Sequence, residues 1–214
     1  HIEIFDNSNI QGSDAVAACV VYKKGKPAKK EYRKFTIKTV EGPDDYASMK
    51  EVVYRRYKRC IDEDLPLPDL IVADGGIGQM SIMREVVENM LKINIPIAGL
   101  AKDSKHKTNE VLIGFPVRAV GLKATDYMFK FFAGMQDEVQ RVAISFHRDK
   151  RSKNQIASEL DKIEGIGEKS KKELLDHFKS VKRIKMAEKT ELEKIIGNNR
   201  ATIIYNYFNS SESL

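Results

Sequence analysis

This sequence of 214 residues holds only two cysteines, too few for a disulfide framework and without the paired spacing of a zinc site. Cys19 and Cys60 lie in apolar-periodic segments, AVAACVVY and VVYRRYKRC, and read as buried free thiols of a cytosolic protein, so a cytoplasmic location is expected. No run approaches the ~20 apolar residues of a membrane span, which excludes a membrane-crossing helix. A signal peptide and a start methionine are also missing: the chain opens directly on strand-like sequence, as a piece cut from a longer protein would. The glycine-rich DGGIGQ lacks both the Lys-Ser/Thr of a P-loop and GxGxxG spacing, which sets aside a nucleotide-binding loop.

What is present is a globular composition, 42% apolar and 32% charged, in a length that suits one large or two small domains. The net charge of +6 is unevenly placed. Residues 148–208 carry 15 Lys/Arg against 10 Asp/Glu, whereas residues 1–147 are nearly balanced at 22 against 20. A basic tail of this kind points to an anionic polymer as partner.

Residues 2–6, 15–22 and 31–39 are rich in Val, Ile, Phe, Tyr and Thr and read as three strands, the last two joined through the turn-forming KKGKPAKK. Helical spacing follows over 44–60, with Met49, Val52, Val53 and Tyr57 on one face and acids in the first turn. LIVAD (70–74) is a short apolar strand, followed by a Gly turn and a helix over 80–91. PIAGLA, VLIGF and RAVGL are further strands, and a long helix spans 125–147. The order predicts a mixed α/β sheet flanked by helices, with the opening order of the ribonuclease H fold. Polar RDKRSKNQIASE (148–159) reads as a basic linker. Residues 160–208 read as a small all-α domain, and 209–214 as a disordered tail.

Two acids close apolar strands: Asp6 in IEIFD and Asp74 in DLIVADGG. On neighbouring strands they would converge on one hard cation such as Mg²⁺ or Mn²⁺, which prefers oxygen ligands and activates water at phosphodiesters. Taken singly, each equally caps a turn. His147 ends the long helix on a face shared with Ala143 and Ile144. Beside two carboxylates it is a metal ligand or proton-transfer group, and without them a structural residue. Glu138, nine residues earlier and so about 900° around the helix, lies opposite His147. Asp45, a first-turn acid, reveals no chemistry by position alone.

In the tail, IEGIG (163–167) between amphipathic helices is a helix-hairpin-helix signature. Its Gly165 and Gly167 let backbone N–H groups meet a phosphate, and Lys169, Lys171 and Lys172 follow. IIGNNRA (195–201) stands in the equivalent place, keeping Gly197 and offering Arg200, with Asn198 and Asn199 where a second glycine is common. Such duplicated hairpins hold phosphate backbones without reading bases.

IEIFDNSNIQG, EYRKFTIK, GPDDYASM, YRRYKR, LIVADGGIGQ, IAGLAK, FHRDKRSK and the twin hairpins occur in the order found in the C-terminal half of the UvrC family, which the chain resembles over nearly all of residues 2–208. The resemblance implies an RNase H-like endonuclease domain (1–147) that makes the 5′ incision in bacterial nucleotide excision repair, followed by a tandem helix-hairpin-helix domain (160–208). It implies Asp6, Asp45, Asp74 and His147 as catalytic residues, with Asp6, Asp74 and His147 on Mg²⁺ or Mn²⁺. It also implies damaged double-stranded DNA as substrate and UvrB as partner, met through a part of the family protein outside this sequence. Two departures stand out: Asn9 replaces the usual histidine of FDISH, and the second hairpin lacks the common Pro-Gly. An endonuclease V-like enzyme would not need the hairpins and would cut inosine DNA alone. A non-catalytic DNA-junction binder would not need Asp6, Asp74 and His147.

Overall fold

The computed structural model describes residues 1–8, 15–40, 42–104 and 108–210, with side chains left aside at 152–156 and 210. It divides into two compact units, His1–His147 and Arg148–Leu214.

The first unit is built on one sheet. Strands β1 (Ile2–Ser8), β2 (Val16–Lys23), β3 (Lys26–Pro27), β4 (Arg33–Thr36), β5 (Leu70–Ala73), β6 (Ile97–Lys102), β7 (Thr108–Ile113) and β8 (Arg118–Ala119) lie in the order β3-β2-β1-β5-β6-β7-β8, with β4 also on β2. β1, β2 and β4 are antiparallel, whereas β5 and β6 run parallel to β1. This is the RNase H-like arrangement. Helices α1 (Asp45–Asp62) and α2 (Ile77–Arg84) follow β4 and β5, and α2 runs on into a π-helical stretch, Glu85–Met90.

Alternation along the strands sorts the core into two layers. Phe5, Cys19, Ile71 and Ala73 pack with Met49, Val53 and Tyr57 of α1 on one face. Ile4, Ala18, Val72 and Leu100 pack with Phe132, Met135 and Val139 of helix α3 (Tyr127–Leu160) on the other. The Asp44 carboxylate caps α1, accepting from Ala47 N–H at 2.9 Å, a bond that stabilises such a helix by ~1 kcal/mol. Glu3, fully buried on the α1 side, is satisfied by Arg56 (Nε at 3.1 Å, and Nη2), the Tyr57 hydroxyl (3.0 Å) and the Cys19 thiol (3.6 Å). A buried carboxylate persists only when paired in this way.

Several boundaries differ from those expected. The segment 148–159 is not an irregular linker: α3 continues through it to Leu160. Its residues are polar but include no Pro or Gly, and Lys, Arg, Gln, Ala and Glu are good helix formers, so polarity there does not end the helix. KKGKPAKK holds a Lys24–Gly25 turn, β3 and a single 3₁₀ turn (Lys29–Glu31), so the strand expected over 31–39 narrows to β4. Asn209 and Ser210, assigned to a disordered tail, complete a helix, and 211–214 lie outside the described residues.

The second unit packs α4 (Glu168–Phe178), α5 (Val181–Met186), α6 (Lys189–Ile196) and α7 (Asn198–Ser210) around Leu160, Ile166, Leu174, Leu192, Ile204 and Phe208. Among the described residues no helix is long and apolar enough to cross a membrane.

Candidate active site

The parallel register sets Ile2 beside Leu70 and Phe5 beside Ala73. One step further, the Asp74 N–H donates to the Phe5 carbonyl at 3.0 Å, so Asp6 and Asp74 stand side by side on the α3 face. Their carboxyls are within hydrogen-bond reach of each other. Burial pushes the Asp6 carboxyl up to about 8. The adjacent Asp74 charge and their hydrogen bond add to the rise, and Lys102 and the Asn7 amide oppose it.

Asp74 is 3% exposed and gripped on both oxygens. Oδ1 accepts from Lys102 Nζ at 2.9 Å, where β6 ends, and from Gln136 Nε2, whereas Oδ2 accepts from Gln140 Nε2 at 2.8 Å. The Gln136 carbonyl oxygen accepts in turn from Thr108 Oγ1 of β7. The glycines after Asp74 serve close approach. A Cβ on Gly75 would strike the Gln79 side chain, and one on Gly78 would lie 2.5 Å from the Tyr46 hydroxyl.

The other two expected catalytic residues are placed differently. His147 shares the α3 face of Gln136 and Gln140, because eleven residues bring a helix within about 20° of its starting direction. It is 4% exposed, and its Nε2 is buried without a hydrogen-bond partner among the described residues. Seven residues past Gln140, it is set back ~10 Å along the helix. Asp45 opens α1 with an exposed side chain, and its backbone carbonyl accepts from Asn7 Nδ2 at 2.9 Å, tying the start of α1 to the residue after Asp6. Among the described residues no three His, Cys, Asp or Glu side chains converge as metal ligands. The structure thus joins Asp6 to Asp74, with His147 farther along the same face of α3 and Asp45 at the start of α1. Glu138 faces elsewhere, bonded to Tyr32 (3.1 Å) and Arg141 (2.8 Å). Asn9 lies outside the described residues.

Asp6 and Asp74 are the carboxyls here that could hold a hard divalent cation, which prefers oxygen ligands, and the raised Asp6 carboxyl reflects its burial first and the neighbouring Asp74 charge second. Lys102, Thr108, Gln136 and Gln140 were not singled out in the sequence. Gln136, Gln140, Ala143 and His147 do carry a readable signal, a 4-3-4 spacing that puts two amides on an otherwise apolar helix face.

In the second unit Gly165 has φ +85°, a left-handed conformation that favours glycine, and Gly167 precedes α4 with open space at its Cβ position. Lys169 and Lys172 stand on α4, whereas Lys171 is held by Asp161 (2.5 Å) and Glu168 (3.1 Å). Gly197, φ +79°, separates α6 from α7, and Arg200 is exposed on α7.

Residues 1–144 match the family model of the UvrC RNase H endonuclease domain. The chain belongs to the UvrC family. Residues 157–204 match the SAM-like helix-hairpin-helix tandem. Similar relatives are the UvrABC system protein C of Bacteroides thetaiotaomicron and that of Bacteroides fragilis, each 64% identical over 203 residues, or 95% of this chain. The Streptococcus uberis protein of the same name is 54% identical over 194 residues, or 91% of the chain. In each case the match covers 33% of the relative, so the chain spans about a third of these UvrC proteins.

Proposed function

We propose that this chain is the nuclease and DNA-holding part of an excision-repair incision subunit, a divalent-metal-dependent endodeoxyribonuclease that makes the 5′ incision beside a lesion. The observation that carries the reading is the Asp6–Asp74 pair, two adjoining carboxyls on adjacent parallel strands, Asp6 within β1 and Asp74 just past β5, in a UvrC-type RNase H domain.

Asp6 and Asp74 would hold Mg²⁺ or Mn²⁺, with His147 completing the site. When bound, such a cation activates water and stabilises charge on the phosphate and leaving oxygen. Gln136 and Gln140 fix the orientation of Asp74, and Thr108 fixes that of Gln136. Lys102 keeps a positive charge beside the pair, which favours an anionic phosphodiester there. His147 offers a buried, unpartnered ring nitrogen that takes or returns a proton during water attack. Asp45, exposed at the start of α1, assists ionically.

In the second unit the N–H groups following Gly165 and Gly167 meet phosphate oxygens, with Lys169, Lys171 and Lys172 around them and Gly197 and Arg200 as the second point of attachment. Damaged double-stranded DNA is the substrate. UvrB is the partner, reached through the part of the family protein beyond this chain, and the cytoplasm is the site of action. The test is incision of lesion-bearing duplex in Mg²⁺, reconstituted with the partner proteins, by the full-length protein that carries this chain as wild type, Asp6→Ala, Asp74→Ala and His147→Ala. Each variant should fold and fail to cut on the 5′ side. Wild-type incision by Asp6→Ala or Asp74→Ala overturns the metal assignment.

A further inference from the structure

The lysine-rich segment after β2 takes no part in the site described above. From Lys23 to Lys34 there are seven basic residues and one acid, in a unit totalling twenty-two and twenty, so the remainder of the unit is net acidic. Lys24, Lys26, Lys29, Lys30 and Lys34 are exposed, and the single acid, Glu31, is taken by Lys23 at 2.7 Å. The turn itself has Lys24 at φ 53° and Gly25 at φ 74°, a two-residue geometry that favours Asn or Asp before the Gly. A lysine is kept there against backbone preference.

The strand register leads from the last residue of this segment to the acids, whereas the Lys24–Gly25 turn lies beyond Ile2, toward the other end of β1. Lys34 of β4 is opposite Ala18 of β2, and Ala18 is opposite Asp6 of β1. Directly opposed residues share a face, so Asp6, Ala18 and Lys34 form one row on the α3 side. Consistent with this, Lys34 Nζ lies 5.4 Å from the ring centre of Phe146, the residue before His147. Two strand spacings separate Lys34 from Asp6 by on the order of 10 Å, the rise of about three nucleotides along one DNA strand.

We propose that the Lys23–Lys34 hairpin is a DNA-backbone site on the nuclease unit itself, separate from the tandem hairpins, with Lys34 nearest the bond presented to Asp6 and Asp74 and the turn lysines taking phosphates farther along the strand. It rests on the reading of the chain as a DNA nuclease. Lysines on a flexible edge act as point charges and read no bases, so the site is indifferent to sequence.

The test is a quadruple variant of the full chain, Lys26→Ser, Lys29→Ser, Lys30→Ser and Lys34→Ser, binding an undamaged 30-base-pair duplex across a salt titration. It is measured in the wild-type background and with Gly167→Val. A control with Lys26, Lys29 and Lys30 changed to Arg keeps the charge. In both backgrounds the quadruple variant should lose about tenfold or more in affinity near ~0.1 M salt, and its log–log salt slope should shrink by roughly two to three, at ~0.9 for each phosphate no longer neutralised. The Arg control should retain the slope. Unchanged affinity and slope in both backgrounds overturn the proposal, as does an Arg control that behaves like the Ser variant. A wild type that shows the hairpin-dependent slope yet never incises DNA removes the nuclease reading alone. Incision with an unchanged slope removes only the hairpin site.

Discussion

Gln136 and Gln140, one turn apart on α3, hold the two oxygens of Asp74 separately. A carboxylate held at both ends cannot rotate, so helix and strand must stay in register for the acid to face Asp6. Gln140→Ala should cut incision by about ten- to a hundredfold, in the range seen when the groups supporting a metal site are removed. Gln140→Asn, whose amide is one methylene too short, should recover little. An unchanged rate at saturating Mg²⁺ would show that Lys102 and Gln136 suffice.

Asp6→Asn removes one of two buried, mutually repelling carboxyls while keeping size and hydrogen bonding. In chelator its melting temperature should rise above wild type, and in Mg²⁺ its incision should be abolished. Removing a poorly tolerated functional charge commonly stabilises a protein at the expense of its activity. A lower melting temperature in chelator would count against the repulsion assigned here.

Glu51 offers a pH test away from the site. Burial works to raise its carboxyl, but Thr39 N–H and hydroxyl, Lys38 N–H and Arg55 outweigh burial and hold it below the usual range. A lowered folded value means stability that is present above the unfolded value and is lost as pH falls through the folded one. Glu51→Gln should therefore cost about 1–3 kcal/mol at pH 7. The gap from wild type should close as the pH drops below ~4. Equal melting temperatures at pH 7 would refute this.

The two hairpin glycines should separate folding from binding. Gly165→Ala places a Cβ at φ +85° and 3.2 Å from Ile203, so it should lower the melting temperature of the second unit. Gly167→Val has open space at its Cβ and should leave melting nearly unchanged while weakening duplex binding several-fold, by blocking phosphate approach. Wild-type affinity in Gly167→Val would remove this hairpin as an anchor.

The strands carrying Asp6 and Asp74 and the glycine hairpins were legible because each depends on local pattern, an apolar run or glycine between amphipathic segments, although β1 continues past Asp6 to Ser8. The amides around Asp74 were not, because Gln136, Gln140, Lys102 and Thr108 come from three elements that only the sheet brings together. The polar stretch after His147 misled for a related reason. Its composition reports what water touches, whereas its helicity follows from backbone propensity. For His147, likewise, the 3.6-residue period gives its face but not its distance along the sheet.

Cys19 and Cys60 are both shut inside the α1 layer, 0% and 1% exposed. Burial pushes both thiols up, and the Glu3 charge adds to the rise. Burial shields both from peroxide and alkylating reagents. The natural chain is therefore already silent to thiol chemistry: a single cysteine placed on its surface can carry a dye or spin label without any native residue being removed.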